Sequence, residues 1–296
     1  MDPREPSGSE GRWLPAAIRR HPLVAFFVLA YAFSWSAELV LFVLLGAPAA
    51  VVVPLITFGP TVAAVTVTAA VEGRPGLGRL AARMRLWRID GRWYLVALVG
   101  IPLAYLAGAF VMPGVIGSYT PVAPAGWIIE YAIVLTLGGV IGGPLGEEPG
   151  WRGFALPRLQ AQLGPLGATF LLGVLWAGWH FPQFLMPEWA DQNGGVSISS
   201  VAVFVLTVMA ICVLMTWIFN HSRASIFLAI LAHSSVNTSQ VMLNQLFPGA
   251  ATSDVAGLIG FGVLAIAVLV VTRGHLGFVV ATTRPRLSMA AAPART

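Results

Sequence analysis

The sequence predicts an all-α polytopic membrane protein, built as one bundle of about eight transmembrane helices. The chain of 296 residues is 57% hydrophobic and only 10% charged, whereas a soluble domain carries about 25% charged residues. Its mean hydropathy of +0.81 points the same way. Strands are not expected, because the open edge of a sheet leaves backbone groups without partners in lipid.

Eight apolar runs approach or exceed the roughly 20 residues that a helix needs to cross a bilayer. They are residues 23–45, 51–71, 94–113, 126–147, 165–186, 199–219, 224–246 and 255–272. The first run is longer than the apolar region of a signal peptide, about 7–15 residues, so we expect it to be retained. The runs define an integral membrane domain over 23–273, flanked by segments 1–22 and 274–296.

The arginines predict the orientation of this domain. All 17 basic residues are arginine, and the net charge is +5. They occur in both tails and after the even-numbered runs, whereas the connections after odd-numbered runs hold acidic residues such as Glu188 and Asp191. By the positive-inside rule both flanking segments are cytoplasmic, in a multi-pass protein of the cell membrane. Arginines placed in this way indicate contact with the bilayer and no nucleic-acid partner.

The segment from Gly73 to Trp93 is the most basic part of the membrane domain. Its arginines alternate with apolar residues, for example Arg79 with Leu80 and Arg83 with Met84. This pattern is typical of an amphipathic helix on an anionic membrane surface. The alternatives are a loop that only sets topology and a segment that captures substrate.

Three polar turns interrupt the later apolar runs. Glu147, Glu148 and Arg152 form the first; on a helix Glu148 and Arg152 share a face, and Glu147 points about 100° away from Glu148. His180 follows in the fifth run, and His233 with Asn237 in the seventh. Ionisable groups are costly in hydrocarbon, so such residues mark a functional site.

The residue types in these turns suit hydrolysis. Carboxylate and imidazole groups can activate water, and histidine and asparagine can donate hydrogen bonds to an oxyanion. Glu147, His180 and His233 could equally form a catalytic zinc shell with an open position, although no HExxH motif is present. Each turn taken alone could also be structural, as an interfacial ion pair or as polar contacts between helices.

The motifs resemble those of the CPBP family, which comprises CAAX prenyl proteases and bacteriocin-processing, abortive-infection-type intramembrane proteases. The matching residues are Glu147-Glu148-xxx-Arg152, Trp176-xxx-His180 and His233-xxx-Asn237, within a motif core of about residues 130–245. Trp176 stands where the family more often has phenylalanine. The resemblance implies an eight-helix intramembrane endopeptidase whose site, within the membrane, is open to the cytoplasmic side.

The resemblance also implies a role for each residue. Glu147 would activate water with help from His180, His233 and Asn237 would stabilise the oxyanion, and Glu148 and Arg152 would support them. Substrates would be membrane-tethered peptides or proteins of a bacterial cell. Whether the enzyme is glutamate-dependent or uses a divalent metal such as zinc stays open.

Two other functions remain open at this stage. The same fold could serve a non-catalytic immunity or scaffold protein. A proton-coupled transporter could relay protons through Glu38, Glu147 and the histidines.

The spacing of the motifs raises one geometric problem. Glu147 lies at the end of the fourth run, whereas His180 lies about 22 Å along the fifth. The two can meet if the fourth helix continues past Trp151 to about Leu156, which would place Glu147 and Glu148 at mid-depth. Gly146, Pro149 and Gly150 could kink that helix.

Overall fold

The computed structural model describes residues 13–121, 124–247 and 254–279, and these residues are helical without a strand. The predicted all-α fold is therefore confirmed for them. The helices are α1 (Trp13–Arg20), α2 (Pro22–Glu38), α3 (Ala49–Ile56), α4 (Gly59–Met84), α5 (Gly91–Leu95), α6 (Ile101–Phe110), α7 (Pro124–Ile133), α8 (Pro144–Gly150), α9 (Leu156–Trp179), α10 (Pro187–Gln192), α11 (Ile198–His221), α12 (Ile226–Leu246) and α13 (Asp254–Thr272). Four π-helical turns extend or join them, at Leu39–Leu44, Val96–Gly100, Val134–Ile141 and Trp151–Ala155.

Helices that can span a membrane account for most of the described chain. Seven stretches there are long and apolar enough: Pro22–Leu44, Ala49–Met84, Gly91–Phe110, Pro144–Leu185, Ile198–His221, Ile226–Leu246 and Val255–Thr272. A shorter apolar helix, Gly126–Leu137, corresponds to the fourth predicted run. The protein is therefore a multi-pass membrane protein.

Two of these stretches are too long for a single span and are each broken at a glycine. Gly73 (φ 62°) interrupts α4, and Gly164 (φ 69°) interrupts α9. Positive φ is a conformation that glycine adopts without a steric penalty. Glu72, just before the first break, pairs with Arg158, a few residues before the second, so both breaks lie at the same end of the bundle.

The junction between the fourth and fifth predicted runs differs from the prediction. The fourth helix does not run unbroken from residue 126, because the chain turns at Gly142–Gly143 and α8 starts at Pro144. The helix does continue past Trp151, as predicted, through the π-helical turn and into α9. The connection expected after Glu147 is consequently helix, and Arg152 is fully buried in it rather than lying in a loop.

The break at Gly164 resolves the geometric problem posed by the motifs. From Glu147 to this break the helix rises about 26 Å, and from the break to His180 it rises about 24 Å. The chain reverses there, and Trp176 reaches back to Glu147 with a hydrogen bond of 2.8 Å. Two arms of nearly equal length therefore bring the two motifs to the same depth.

Glycines allow α8 to pack directly on the backbone at the start of α4. A Cβ at Gly146 would lie 2.6 Å from the carbonyl oxygen of Thr57, and one at Gly150 would lie 2.5 Å from that of Pro60. Small residues one turn apart are typical of close helix contacts in membranes. This contact fixes the position of Glu147 and Glu148, which lie between the two glycines.

We expect Gly150→Ala to lower the unfolding temperature in detergent, because the added methyl group has no space against Pro60. Overpacking of this kind costs about 1–3 kcal/mol. The matched control is Gly78→Ala, where a Cβ meets nothing within 4 Å. Alanine is the better helix former, so the control should be neutral or stabilising. Equal unfolding temperatures for the two variants would contradict the close contact between α4 and α8.

Candidate active site

Glu147 is a buried carboxylate held by two tryptophans. Its Oε2 atom accepts hydrogen bonds from the indole nitrogen of Trp176 at 2.8 Å and from that of Trp151 at 3.2 Å. Its Oε1 atom borders the backbone at Gly143, where a Cβ would lie 3.3 Å away. One oxygen is thus fixed by neutral donors, and the carboxylate lines a cavity.

Glu148 forms an ion pair that is closed off from solvent. Its Oε1 atom accepts a hydrogen bond from Arg152 Nη1 at 2.9 Å, and His233 Nδ1 lies 2.9 Å from the same oxygen. The side chains of Glu148 and Arg152 are both 0% exposed. The Arg152 guanidinium also lies 4.2 Å from the centre of the Trp176 ring, a cation–π contact.

The partners of the two histidines define their tautomers. A carboxylate paired with arginine offers only acceptors, so His233 Nδ1 carries the proton that it shares with Glu148. His180 Nδ1 lies 2.8 Å from the carbonyl oxygen of Trp176 and must donate to it for the same reason. In the neutral rings, Nε2 is therefore the nitrogen that can accept a proton.

His180 sits in a wall of aromatic rings. It stacks on Trp189 and makes edge-to-face contacts with Trp179 and Phe204. These rings restrict the imidazole to one orientation beside the cavity.

A cavity of about 260 Å³ joins the catalytic candidates. Its lining includes Glu147, His180, His233 and Asn237, whereas Glu148 and Arg152 lie behind this layer. Asn237 is exposed and follows His233 by one turn of α12. The structure thus brings the six candidate catalytic residues of the sequence motifs to one place, where four line the cavity and two support them.

Several further polar groups of the site do not belong to the motifs. Trp151 binds Glu147 from the next turn of the same helix, and this i, i+4 spacing is a signal that the sequence contains. Thr57, Gln183, Asn193 and Gln240 also line the cavity. Gln183 and Gln240 follow the motif residues His180 and Asn237 by three positions, a helical spacing that the sequence contains. Thr57 and Asn193 lie in segments without a motif residue.

Glu147, His180 and His233, the hypothetical zinc set, line one cavity. Among the described residues, no group of three His, Cys, Asp or Glu side chains is placed to hold a metal ion. In the hypothetical zinc set, Oε2 of Glu147 and Nδ1 of each histidine are engaged by protein groups. Metal-binding histidines commonly use one ring nitrogen for such a bond, so Oε1 of Glu147 and the two Nε2 atoms are the atoms that would hold an ion.

Glu38, which a proton relay would require, lies outside this constellation. It is buried, and its Oε1 atom has no hydrogen-bond partner among the described residues. It is absent from the lining of the cavity that contains Glu147. The described residues therefore contain no hydrogen-bonded path from Glu38 to the motifs.

The cavity extends toward the end of the bundle that lies opposite the described arginines. Arg83, Arg158 and Arg223 lie near the opposite end, where Arg83 contacts Ala224 just before α12 begins. From Ser225, α12 rises about 12 Å to His233 and about 24 Å to Val241, which also lines the cavity. Trp189 and Asn193, from the acidic connection after α9, complete the wall. The cavity therefore lies between the middle of the bundle and the end opposite these arginines.

The fold and the site define a multi-pass helical membrane protein with a buried glutamate, arginine and histidine centre. Residues 127–239 match the family described as type II CAAX prenyl endopeptidase Rce1-like. CAAX prenyl protease 2 of Methanococcus maripaludis is 35% identical over 98 residues. That alignment covers 33% of this chain and 36% of the relative, so the chain matches about a third of the relative's length. The resemblance to the CPBP family is confirmed, and the matched region contains all six motif residues.

We expect Arg152→Gln and Glu148→Gln each to destabilise the protein strongly, because each leaves an unpaired charge in a site without solvent. Breaking a buried pair costs about 3–5 kcal/mol, and replacing both partners costs much less than the sum. Unfolding temperatures of the two single variants and the double variant test this coupling.

The exposed pair Asp90–Arg92 is the matched control for this cycle. Its variants Asp90→Asn and Arg92→Gln should shift the unfolding temperature little, because exposed ion pairs contribute about 1 kcal/mol or less. Additive effects for Glu148 and Arg152 would contradict a coupled buried pair.

Proposed function

We propose that this protein is an intramembrane endopeptidase that hydrolyses peptide bonds by means of water activated by Glu147. The observation that carries the proposal is the carboxylate of Glu147, fixed by two indole donors at the wall of a cavity that also presents His180, His233 and Asn237. The match to an endopeptidase family over residues 127–239 supports the reaction class.

In this mechanism Glu147 acts as the general base. Its carboxylate takes a proton from water, and the oxygen of the resulting hydroxide attacks the carbonyl carbon of the substrate. The proton then passes from Glu147 to the nitrogen of the leaving amine as the carbon–nitrogen bond breaks. Nε2 of neutral His180 is an acceptor and can hold the same water in place.

The developing oxyanion would be bound from α12. Asn237 can donate through its side-chain amide without any change in protonation. His233 has committed Nδ1 to Glu148, so Nε2 would bind the oxyanion only after it had accepted a proton, whereas Asn237 needs no such step. Glu148 and Arg152 act at one remove by holding the His233 ring in a fixed orientation.

The substrate would be a membrane-tethered peptide or protein that enters the cavity from the bilayer. The cavity opens beside Asn237 and Val241, the exposed members of its lining on α12. Its remaining wall combines apolar and aromatic residues with a few polar groups, as ligand sites commonly do.

We expect Glu147→Gln to abolish cleavage of membrane-tethered peptides by the purified protein while leaving it folded. The amide oxygen of glutamine can still accept both indole hydrogen bonds, but it cannot take a proton from water. The comparison is cleavage by the wild type, by Glu147→Gln and by Glu130→Gln, a glutamate that bonds Gln245 outside the cavity.

The same assay with a chelator separates the two mechanisms. Wild-type activity that persists in chelator supports the glutamate mechanism, whereas loss that zinc restores would overturn it in favour of metal catalysis. A third outcome is that none of the three proteins cleaves the peptide, although all three bind it equally well. That result would favour the immunity or scaffold class.

We further propose that the arginine-rich end is cytoplasmic and that the cavity opens toward the other side of the membrane. In a protein made cysteine-free by Cys212→Ser, Glu188→Cys should react with an impermeant maleimide on intact cells. Arg85→Cys, exposed at the arginine-rich end, should react only after permeabilisation. The reverse labelling pattern would place the cavity on the cytoplasmic side.

A further inference from the structure

Among the residues that the structure describes, Arg83 makes more hydrogen bonds than any other arginine outside the motifs. Its Nη2 and Nη1 atoms donate to the carbonyl oxygens of Arg152 at 3.2 Å and Gly153 at 3.0 Å. Its Nε atom donates to the carbonyl oxygen of Ala224 at 3.1 Å. The guanidinium also lies 5.3 Å from the centre of the Phe219 ring. A single side chain thus bonds three backbone carbonyls from two distant segments.

The first of these segments is the π-helical turn that carries Arg152. A π-helical turn leaves the regular i→i−4 ladder, and such turns are frequent at functional sites. Arg83 binds two successive carbonyls of this turn, and one belongs to Arg152 itself. The backbone that sets the direction of the Arg152 side chain toward Glu148 is therefore held by Arg83.

The second segment is the turn that leads into α12. Arg223 and Ala224 both adopt positive φ, of 60° and 59°, although neither is glycine. Such strained conformations persist only where surrounding contacts enforce them. Arg83 supplies one of those contacts at the carbonyl of Ala224.

Ser225 connects that strained turn to the site. Its hydroxyl accepts a hydrogen bond from the Leu228 amide and so caps α12, and it also donates to the carbonyl of Leu86 at 2.6 Å. His233 follows two turns later on the same helix. The turn held by Arg83 therefore sets where α12 begins and at what height His233 meets Glu148.

Side chains from the end of α4 and the start of α12 pack directly on the π-helical turn. A Cβ at Gly153 would lie 2.8 Å from Ile226 Cδ1 and 2.9 Å from Leu80 Cδ1. Gly153 thus allows the end of α4, the π-helical turn and the start of α12 to meet at one point. The neighbouring arginine Arg85 is exposed, as expected for a side chain at the membrane surface.

We infer that Arg83 is a positioning residue for the proposed hydrolysis: it fixes Arg152 and the start of α12 so that Glu148 and His233 meet. This inference rests on the proposed function for its kinetic consequence, but its structural content stands without it. The amphipathic segment that ends α4 is accordingly a support of the site, besides any contact that it makes with lipid.

The test compares Arg83→Gln and Arg83→Lys with Arg85→Gln, which removes the same charge two residues away. We expect Arg83→Gln to lower kcat for a membrane-tethered peptide about tenfold to a hundredfold with little change in KM, because small misplacements of reacting groups cost rates of this order. Arg83→Lys should be intermediate, since an ammonium group cannot reach three carbonyls in a fork. Arg85→Gln should behave as the wild type.

Amide hydrogen exchange provides a second readout that needs no activity. In Arg83→Gln, exchange should accelerate at residues 151–157 and 224–230 and stay unchanged in the first turns of α11. The inference would be overturned if Arg83→Gln exchanged its amide hydrogens at the wild-type rates. It would also be overturned if Arg83→Gln and Arg85→Gln lowered kcat equally. If the wild type cleaves no substrate, the proposed function fails while the exchange experiment still decides the role of Arg83. If Arg83→Gln does not fold, Arg83→Lys is measured in the same way.

Discussion

The architecture of the site depends on one buried ion pair, between Glu148 and Arg152. Neither side chain is accessible to solvent, so the cost of removing both charges from water must be offset within the protein. The offset comes from their mutual hydrogen bond, from His233 and from the face of the Trp176 ring. Three helical segments that are distant in sequence are thereby drawn to one point. The adjacent carboxylate of Glu147 is left free of a cationic partner and can face the cavity.

The sequence predicts the helical fold well, because hydropathy and length decide whether a segment spans a membrane. The predicted runs 199–219 and 255–272 lie within one or two residues of α11 and α13. The break at Gly142–Gly143 escapes such reasoning, since two glycines lower the mean hydropathy of a long apolar run only slightly. Predicting that break required knowledge that Gly146 and Gly150 touch the backbone at Thr57 and Pro60, which are distant in sequence.

The candidate site could also be predicted in part from the sequence, because its residues contrast with the apolar runs around them. The six motif residues are polar groups in apolar surroundings, a signal that a single sequence displays. Trp151 was within reach because it lies one turn after Glu147, although an indole in an apolar run looks like packing. The role of Arg83 could not be predicted from the sequence, because Arg83 is one of six arginines in a basic segment. Only its tertiary contacts distinguish it from Arg85. What the local sequence hides is which polar atoms meet across the bundle.

The reversal of the chain at Gly164 has a consequence for how such a sequence can change over generations. The arm that carries Glu147 and the arm that carries His180 must match in rise and in rotation for Trp176 to meet the carboxylate. Insertion of one residue in either arm would turn everything beyond it by about 100° and shift it by about 1.5 Å. We therefore expect related sequences to vary in length in the tails and outer connections but not between these two motifs, unless a compensating change arises in the other arm. Side chains on the lipid-facing sides of both arms are expected to vary while the count of residues between the motifs stays fixed.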